Sequence, residues 1–286
     1  MVQDKTIMSR LFDAANHSFL FLIAVLTVLP FLYVIVSSFG SMDDWIPKKF
    51  TLSAYQYIFS TNTFLRSLQV SVYITIVGTA FSLLFTSLTA YALSHKHLPG
   101  RKGFMLLVLF TMFFSGGMIP TYFVVRSVGL LNTLWSLMIP GMISAYYLII
   151  LKSFFQQLPE ELKESAKIDG CHELGILWRI ILPLSLPAMA AFGLFYAVGL
   201  WNQYFSAILY INDSTKWPVQ VLLRQIVVLS SGGFGDSTQI SQDSVAFYGQ
   251  SIKMAVVVVA TVPILLVYPF LQKHFAKGVL LGSIKE

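Results

Sequence analysis

Six stretches of the chain contain no Asp, Glu, Lys or Arg, and each is long enough to cross a bilayer as a helix. They run from Ala14 to Met42, Ser67 to Ser94, Gly103 to Val125, Ser127 to Leu151, Ile180 to Asn212 and Met254 to Gln272. A spanning helix needs about 20 mostly apolar residues, because its backbone polar groups must be satisfied within the helix. Composition agrees: 56% of residues are apolar, 11% are charged and the mean hydropathy is +0.73, whereas soluble domains carry about 25% charged residues. The expected fold is an all-α integral membrane protein, one transmembrane domain over residues 1–286. Its six transmembrane helices are expected near 18–39, 68–93, 103–124, 132–152, 184–210 and 252–272. The first stretch exceeds the ~7–15 residue apolar region of a signal peptide and no A-x-A site follows it, so it is expected to stay attached.

Six crossings put both termini on one side of the membrane, and basic residues decide which side. Twelve of the 19 Lys and Arg fall in the N-terminus, the loop after the second span, the loop after the fourth and the C-terminus. Cytoplasmic loops carry that excess, so both termini are expected in the cytoplasm of a cell (plasma) membrane protein. The net charge of +6 is read as this topology signal; nucleic acid is not an expected partner, and lipid is. On the outer side, Thr51 to Thr63 is rich in aromatics and suits a short helix at the headgroup level. Pro30, Pro120, Pro140, Pro187 and Pro263 punctuate five of the six spans, where each is expected to kink a helix or line a cavity. Ser115-Gly116-Gly117 makes the third span pliable, compatible either with a moving gate or with tight helix packing.

The polar stretch from Pro159 to Pro183, within a loop of about 155–183, is a structured unit of its own. It holds five of the 13 acidic residues, Glu160, Glu161, Glu164, Asp169 and Glu173. Pro159 suits a helix start, Glu160 and Glu161 suit the positive end of the helix dipole, and Gly170 suits a helix end. At 100° per residue, Leu162, Ser165, Ala166 and Asp169 share a face on which small residues permit close approach of another protein. After Gly170, the spacing of Leu174, Leu177, Trp178 and Ile181 predicts a second helix with an apolar stripe against the bundle. The expected unit is a cytoplasmic helix-Gly-helix hairpin with a small-residue face turned outward.

Glu164-Ser165-Ala166, Gly170 and Ile180-x-Leu182-Pro183 resemble the EAA signature of ABC importer permeases, EAA(x3)G(x9)I-x-L-P, with Ser165 in place of the first alanine. With Asp169 and Pro187 added, the match is similar to carbohydrate-uptake permeases related to the maltose transporter's smaller membrane subunit. The likeness extends to Ala90-Tyr91-Ala92-Leu93, Gly129-Leu130-Leu131-Asn132-Thr133 and Trp201-Asn202. It implies a coupling loop seated in a groove of a separate ABC ATPase dimer, which binds the ATP and Mg; no cofactor is expected on this chain. Glu164 would pair with a basic groove residue, Ala166, with the nearly as small Ser165 beside it, would give close approach, Gly170 would make the bend, and Asp169 belongs to the same coupling contact. The resemblance further implies a second permease subunit as heterodimer partner, an extracytoplasmic sugar-binding protein and an oligosaccharide substrate.

The outer loop of about 211–250 is too long for a passive turn. Trp217 to Leu229 has helical apolar spacing, while Ser230 to Gln242 is rich in Gly and Ser. By resemblance, the tip at Gly233, Phe234 and Gly235 reaches toward the binding protein. Trp201, Asn202, Gln203 and Tyr204 are pathway candidates, since sugars need hydrogen-bond partners and aromatic faces; interfacial anchoring accounts for Trp201 and Tyr204 equally well. There is no GxxxxGK[ST] loop, no catalytic constellation and no metal-ligand spacing among His17, His95, His97, His172 and His274. The chain is therefore expected to be a transport subunit without its own ATPase. The alternative, a stand-alone secondary carrier or channel, would carry ionised groups inside its spans, and none is found there.

Overall fold

The computed structural model describes residues 7–40, 50–230 and 249–283. Its contacts group into two units, Met1–Asn62 with Leu223–Thr261 and Thr63–Leu222 with Val262–Glu286.

In the first unit, α1 (Ile7–Ser38) runs unbroken through Pro30 and buries within the chain only Ser37 and Ser38. A helix that is apolar all round and uncovered by its own chain needs lipid or another chain around it. Its end is tied to α2 (Ser53–Ser60), the short aromatic helix expected from Thr51 to Thr63. Ser38 Oγ lies 2.7 Å from Tyr55 Oη, and the rings of Phe39 and Tyr55 stand 5.3 Å apart.

The second unit is organised along α3 (Asn62–Ser94), a 33-residue helix whose buried side includes Ser67, Ser71, Gly78, Ser82 and Thr86. Small side chains let neighbours come close: a Cβ on Gly78 would sit 2.7 Å from Leu200 Cδ1. Hydroxyls then satisfy groups that lipid could not. Thr86 Oγ1 pairs with Tyr196 Oη at 2.8 Å, the Ser144 amide donates to that phenol, and the Val219 amide donates to Ser71 Oγ.

The next three expected spans are not continuous helices. The third is split into α4 (Arg101–Phe113) and α5 (Met118–Ser127), around Gly117 at φ +87°. The fourth is split into α6 (Trp135–Met138) and α7 (Ala145–Gln157), with Pro140-Gly141 between them. At 1.5 Å per residue, the 13-residue α4 and α7 each cover about 20 Å, short of a ~30 Å hydrocarbon core. Among the described residues, three helices are long and apolar enough to cross a membrane, or four if one bent pair counts as a span. The prolines explain part of the difference. Pro120 falls in the first turn of α5, where no intrahelical bond is lost, so it marks a start and not a kink.

The chain continues through α8 (Glu160–Ile168), α9 (Glu173–Ile176), a π turn (Leu177–Ile181) and α10 (Leu182–Leu184). Then come α11 (Leu186–Trp201), with Pro187 in its first turn, and α12 (Phe205–Tyr210). The helix expected in Trp217 to Leu229 is α13 (Val219–Ser230), and α14 (Gln250–Ser283) runs unbroken through Pro263.

Candidate functional site: a helical hairpin clamped to the bundle

The polar stretch forms the expected hairpin. Glu160 and Glu161 occupy the first turn of α8, and Lys167 its last, as the helix dipole favours. The turn that ends α8 is a Schellman motif: the Cys171 amide donates to Ala166 O at 2.9 Å and the Gly170 amide to Lys167 O at 3.0 Å. Gly170 supplies the left-handed residue at φ +79°, and a Cβ there would meet no atom within 4 Å.

One residue of the outward face expected on α8 departs from the sequence expectation. Ala166 is turned inward, 8% exposed, into a core cluster with Phe155, Leu177 and Ile181. Leu162, Glu164, Ser165 and Asp169 are exposed, and Ile168 at the tip is 87% exposed. Ala166 therefore gives close approach to the chain's own core, while Ile168, which the small-residue argument passed over, stands out. The second helix departs as well: Ile176, Leu177 and Ile181 are buried, whereas Leu174 and Trp178 are more than half exposed. Two causes set this phase. Pro183 has no N–H for the Arg179 carbonyl, and the ladder before it widens so that the Leu182 amide reaches Leu177 O. The second cause is Glu173, whose carboxylate is held from one side.

That carboxylate joins three segments. Tyr91 Oη, near the end of α3, donates to Glu173 Oε2 at 2.7 Å. Lys167 Nζ of α8 lies 2.6 Å from Oε1, and His95 Nε2 lies 3.4 Å from Oε2. The His95 and Tyr91 rings meet edge to face, 4.7 Å apart at 86°. The Lys167 hydrogen bond, followed by that from Tyr91, holds the Glu173 carboxyl below its usual value against the opposing effect of burial. Further ties surround it. Lys96 Nζ lies 3.1 Å from Glu160 Oε1 and lowers that carboxyl, and Gln156 Nε2 donates to Ser94 O at 3.0 Å. On sequence grounds His95 has no metal-ligand spacing, and neither Glu173 nor Tyr91 has an assigned role. The available signal was the one-turn spacing of Tyr91 and His95 facing a loop with an acid just beyond its glycine.

Beyond the hairpin, Ser185 marks an 85° bend between Glu173–Leu184 and Leu186–Trp201. The pathway candidates lie at a break in the fifth span. Trp201 ends α11 and is 4% exposed, while Asn202, Gln203 and Tyr204 connect α11 to α12. Asn202 Nδ2 turns back to Val198 O at 2.9 Å, and the Tyr204 and Phe205 rings meet edge to face. Gln203 Oε1 is buried without a hydrogen-bond partner among the described residues. The tip residues Gly233, Phe234 and Gly235 lie outside the described residues. Among the described residues, no group of three or more His, Cys, Asp or Glu could hold a metal ion.

Toward the other end of α3, a second clasp fixes the start of the 211–250 stretch. The Asn132 amide donates to Tyr210 O at 2.8 Å, its Oδ1 accepts from the Asp213 amide, and its carbonyl accepts from Lys216 Nζ at 2.9 Å. Hydrogen bonds from the Thr215 side chain and amide hold the Asp213 carboxyl below its usual value.

An apolar helical chain with several helices of membrane-crossing length is a polytopic membrane protein. A family model described as the binding-protein-dependent transport system inner membrane component matches residues 103–281, and the chain belongs to that family. It is a permease subunit of an ABC importer. It is 57% identical over 284 residues to the Polygalacturonan/rhamnogalacturonan transport system permease protein YtcP of Bacillus subtilis (strain 168), covering 97% of this chain and 99% of that one. It is 56% identical over 285 residues to Protein LplC of the same organism, covering 96% and 95%. Its fold matches a chain in the crystal structure of a bacterial ABC transporter involved in the import of the acidic polysaccharide alginate. That match has a TM-score of 0.86 and 28% identity, and covers 94% of this chain and 98% of that one.

Proposed function

We propose that this chain is one of two permeases forming the path of an importer for acidic, uronate-containing oligosaccharides. The single observation that carries this reading is the 57% identity, over nearly the whole of both chains, to a permease named for polygalacturonan and rhamnogalacturonan transport. The alginate importer's permease, also tied to an acidic polysaccharide, supports the same chemistry. In this reading the chain crosses the membrane six times, the broken spans each counting once, with both termini in the cytoplasm. The hairpin seats on an ABC ATPase dimer that binds ATP and Mg. Glu164, Ser165, Ile168 and Asp169 form the seat, Gly170 sets the bend, and Ala166 holds α8 onto this chain's own core. An external binding protein delivers the sugar to the outer side, where the Gly233-Phe234-Gly235 tip assists release, and the break at Trp201 to Tyr204 borders the path.

The test is purification of the tagged chain from its membrane, followed by reconstitution with the proteins that accompany it. A second permease and an ATPase should co-purify in fixed proportion, and hydrolysis should rise with galacturonate oligomers delivered on the binding protein. Isolation of the chain alone, still competent for uptake, would favour a stand-alone carrier. Stimulation by neutral oligosaccharides only would remove the acidic-substrate assignment.

A further inference from the structure

The hairpin is continuous in the chain with α7 before it and α11 after it, so any displacement of the hairpin reaches those helices through covalent bonds. Helix α3 has no such link and meets the hairpin side by side. Beside the apolar packing of Ala90, Tyr91 and Leu93 against Ala166, Ile176 and Leu177, the polar side chain that joins the two is Glu173, with Tyr91 near the α3 end donating to one carboxylate oxygen and Lys167 of α8 on the other. Other hairpin acids do not do this: Glu161, Glu164 and Asp169 are exposed, and Glu160 reaches Lys96 from an exposed position. Tyr91 is 5% exposed, and its ring is packed between His95 and Phe155, so its hydroxyl has little water to turn to if the carboxylate withdraws. Helix α3 is stiffened along its length by Thr86 bonded to Tyr196 and Ser71 bonded to the Val219 amide, so movement at its Tyr91 end is carried to the opposite end.

We propose that Glu173 is a positioning residue for coupling: its bonds to Tyr91 and Lys167 make α3 move with the hairpin, so that force on the hairpin reaches the whole transmembrane unit. This rests on the importer reading above. Without the tie, the hairpin would still engage its partner and permit hydrolysis, while α3 would lag and less sugar would cross per ATP. A bond serving only stability would act differently, lowering the amount of assembled complex and reducing uptake and hydrolysis in proportion.

The experiment compares wild type, Tyr91→Phe, Glu173→Ala and Glu173→Gln as complete complexes in proteoliposomes. It measures galacturonate-oligomer uptake and ATP hydrolysis per assembled complex. Tyr91→Phe and Glu173→Ala should each lower the sugar-to-ATP ratio at least threefold. Glu173→Gln, which keeps one acceptor, should recover part of the loss. Combining Tyr91→Phe with Glu173→Ala should be no worse than twofold below the poorer single variant, because both cut the same bond. A ratio that falls less than threefold, or uptake and hydrolysis that fall together, overturns the proposal. Should Glu173→Ala fail to assemble, Tyr91→Phe, which removes one hydroxyl, decides on the same threshold. A wild-type complex without sugar-stimulated hydrolysis would overturn the importer reading with it, whereas a coupled wild type alongside coupled variants overturns the positioning role alone.

Discussion

Asn132 is the one described residue other than glycine with a positive φ, at 60°. Asn tolerates this conformation better than most side chains, and here its side chain is also used, accepting the Asp213 amide at 3.1 Å. Backbone and side-chain roles can therefore be separated by substitution. Asn132→Gly keeps the conformation and loses the acceptor, at a cost of about 1 kcal/mol. Asn132→Ala loses both, and adds about 1–2 kcal/mol of left-handed strain. Asn132→Asp keeps an acceptor and should remain near wild type. Thermal unfolding midpoints of the purified protein should fall in the order Asp, Gly, Ala; equal values for Asp and Ala would remove the side chain from the account. Asn132 lies within a resembling motif, but its partners are invisible in sequence, since Tyr210, Asp213 and Lys216 approach it only in the fold.

At the scale of elements, the hairpin was legible because its signals are local. Acids at a helix start, a lysine at its end and a glycine beyond it are decided within one or two turns, and they produced α8, the Gly170 turn and α9 close to the expected positions. Which of their small and apolar residues meet the core was not legible. Whether Ala166 faces in or out depends on Tyr91 and Phe155, distant in sequence, and on a π turn that shifts the stripe containing Leu174 and Trp178. The breaks inside the spans were hidden for another reason: absence of charge measures solubility in lipid, and it does not register Gly116-Gly117 or Pro140-Gly141 opening the helix in the middle. The turn itself yields a prediction. Since a Cβ at Gly170 would touch nothing within 4 Å, the penalty of Gly170→Val is conformational, about 1–2 kcal/mol for a left-handed non-glycine residue. The β-branched side chain should lower ATP-driven uptake, and Gly170→Asn should retain most of it. Full uptake with Val would show that this turn has no part in coupling.

For the whole molecule, one property dominates: much of the apolar surface faces outward. Phe12, Phe21 and Leu26 of α1 and Leu106, Phe110 and Phe113 of α4 are all more than half exposed. Such surface needs a covering of lipid or of another protein to be stable. Composition alone announced the membrane, but it could not distinguish surface meant for lipid from surface meant for a protein, because both favour the same residues.

The chain's single cysteine, Cys171, lies just past the Gly170 turn, half-buried, with its sulfur 2.7 Å from where a Cβ on Gly175 would stand. It is thus a built-in chemical clock for the hairpin. Maleimide should label it slowly in the closed turn, faster in Tyr91→Phe or Gly170→Val, and slowest of all once an ATPase covers the hairpin tip. Mass spectrometry of the modified peptide reads all three rates without introducing any foreign probe, and equal rates in the free and ATPase-bound states would mean that the partner seats somewhere other than beside this thiol.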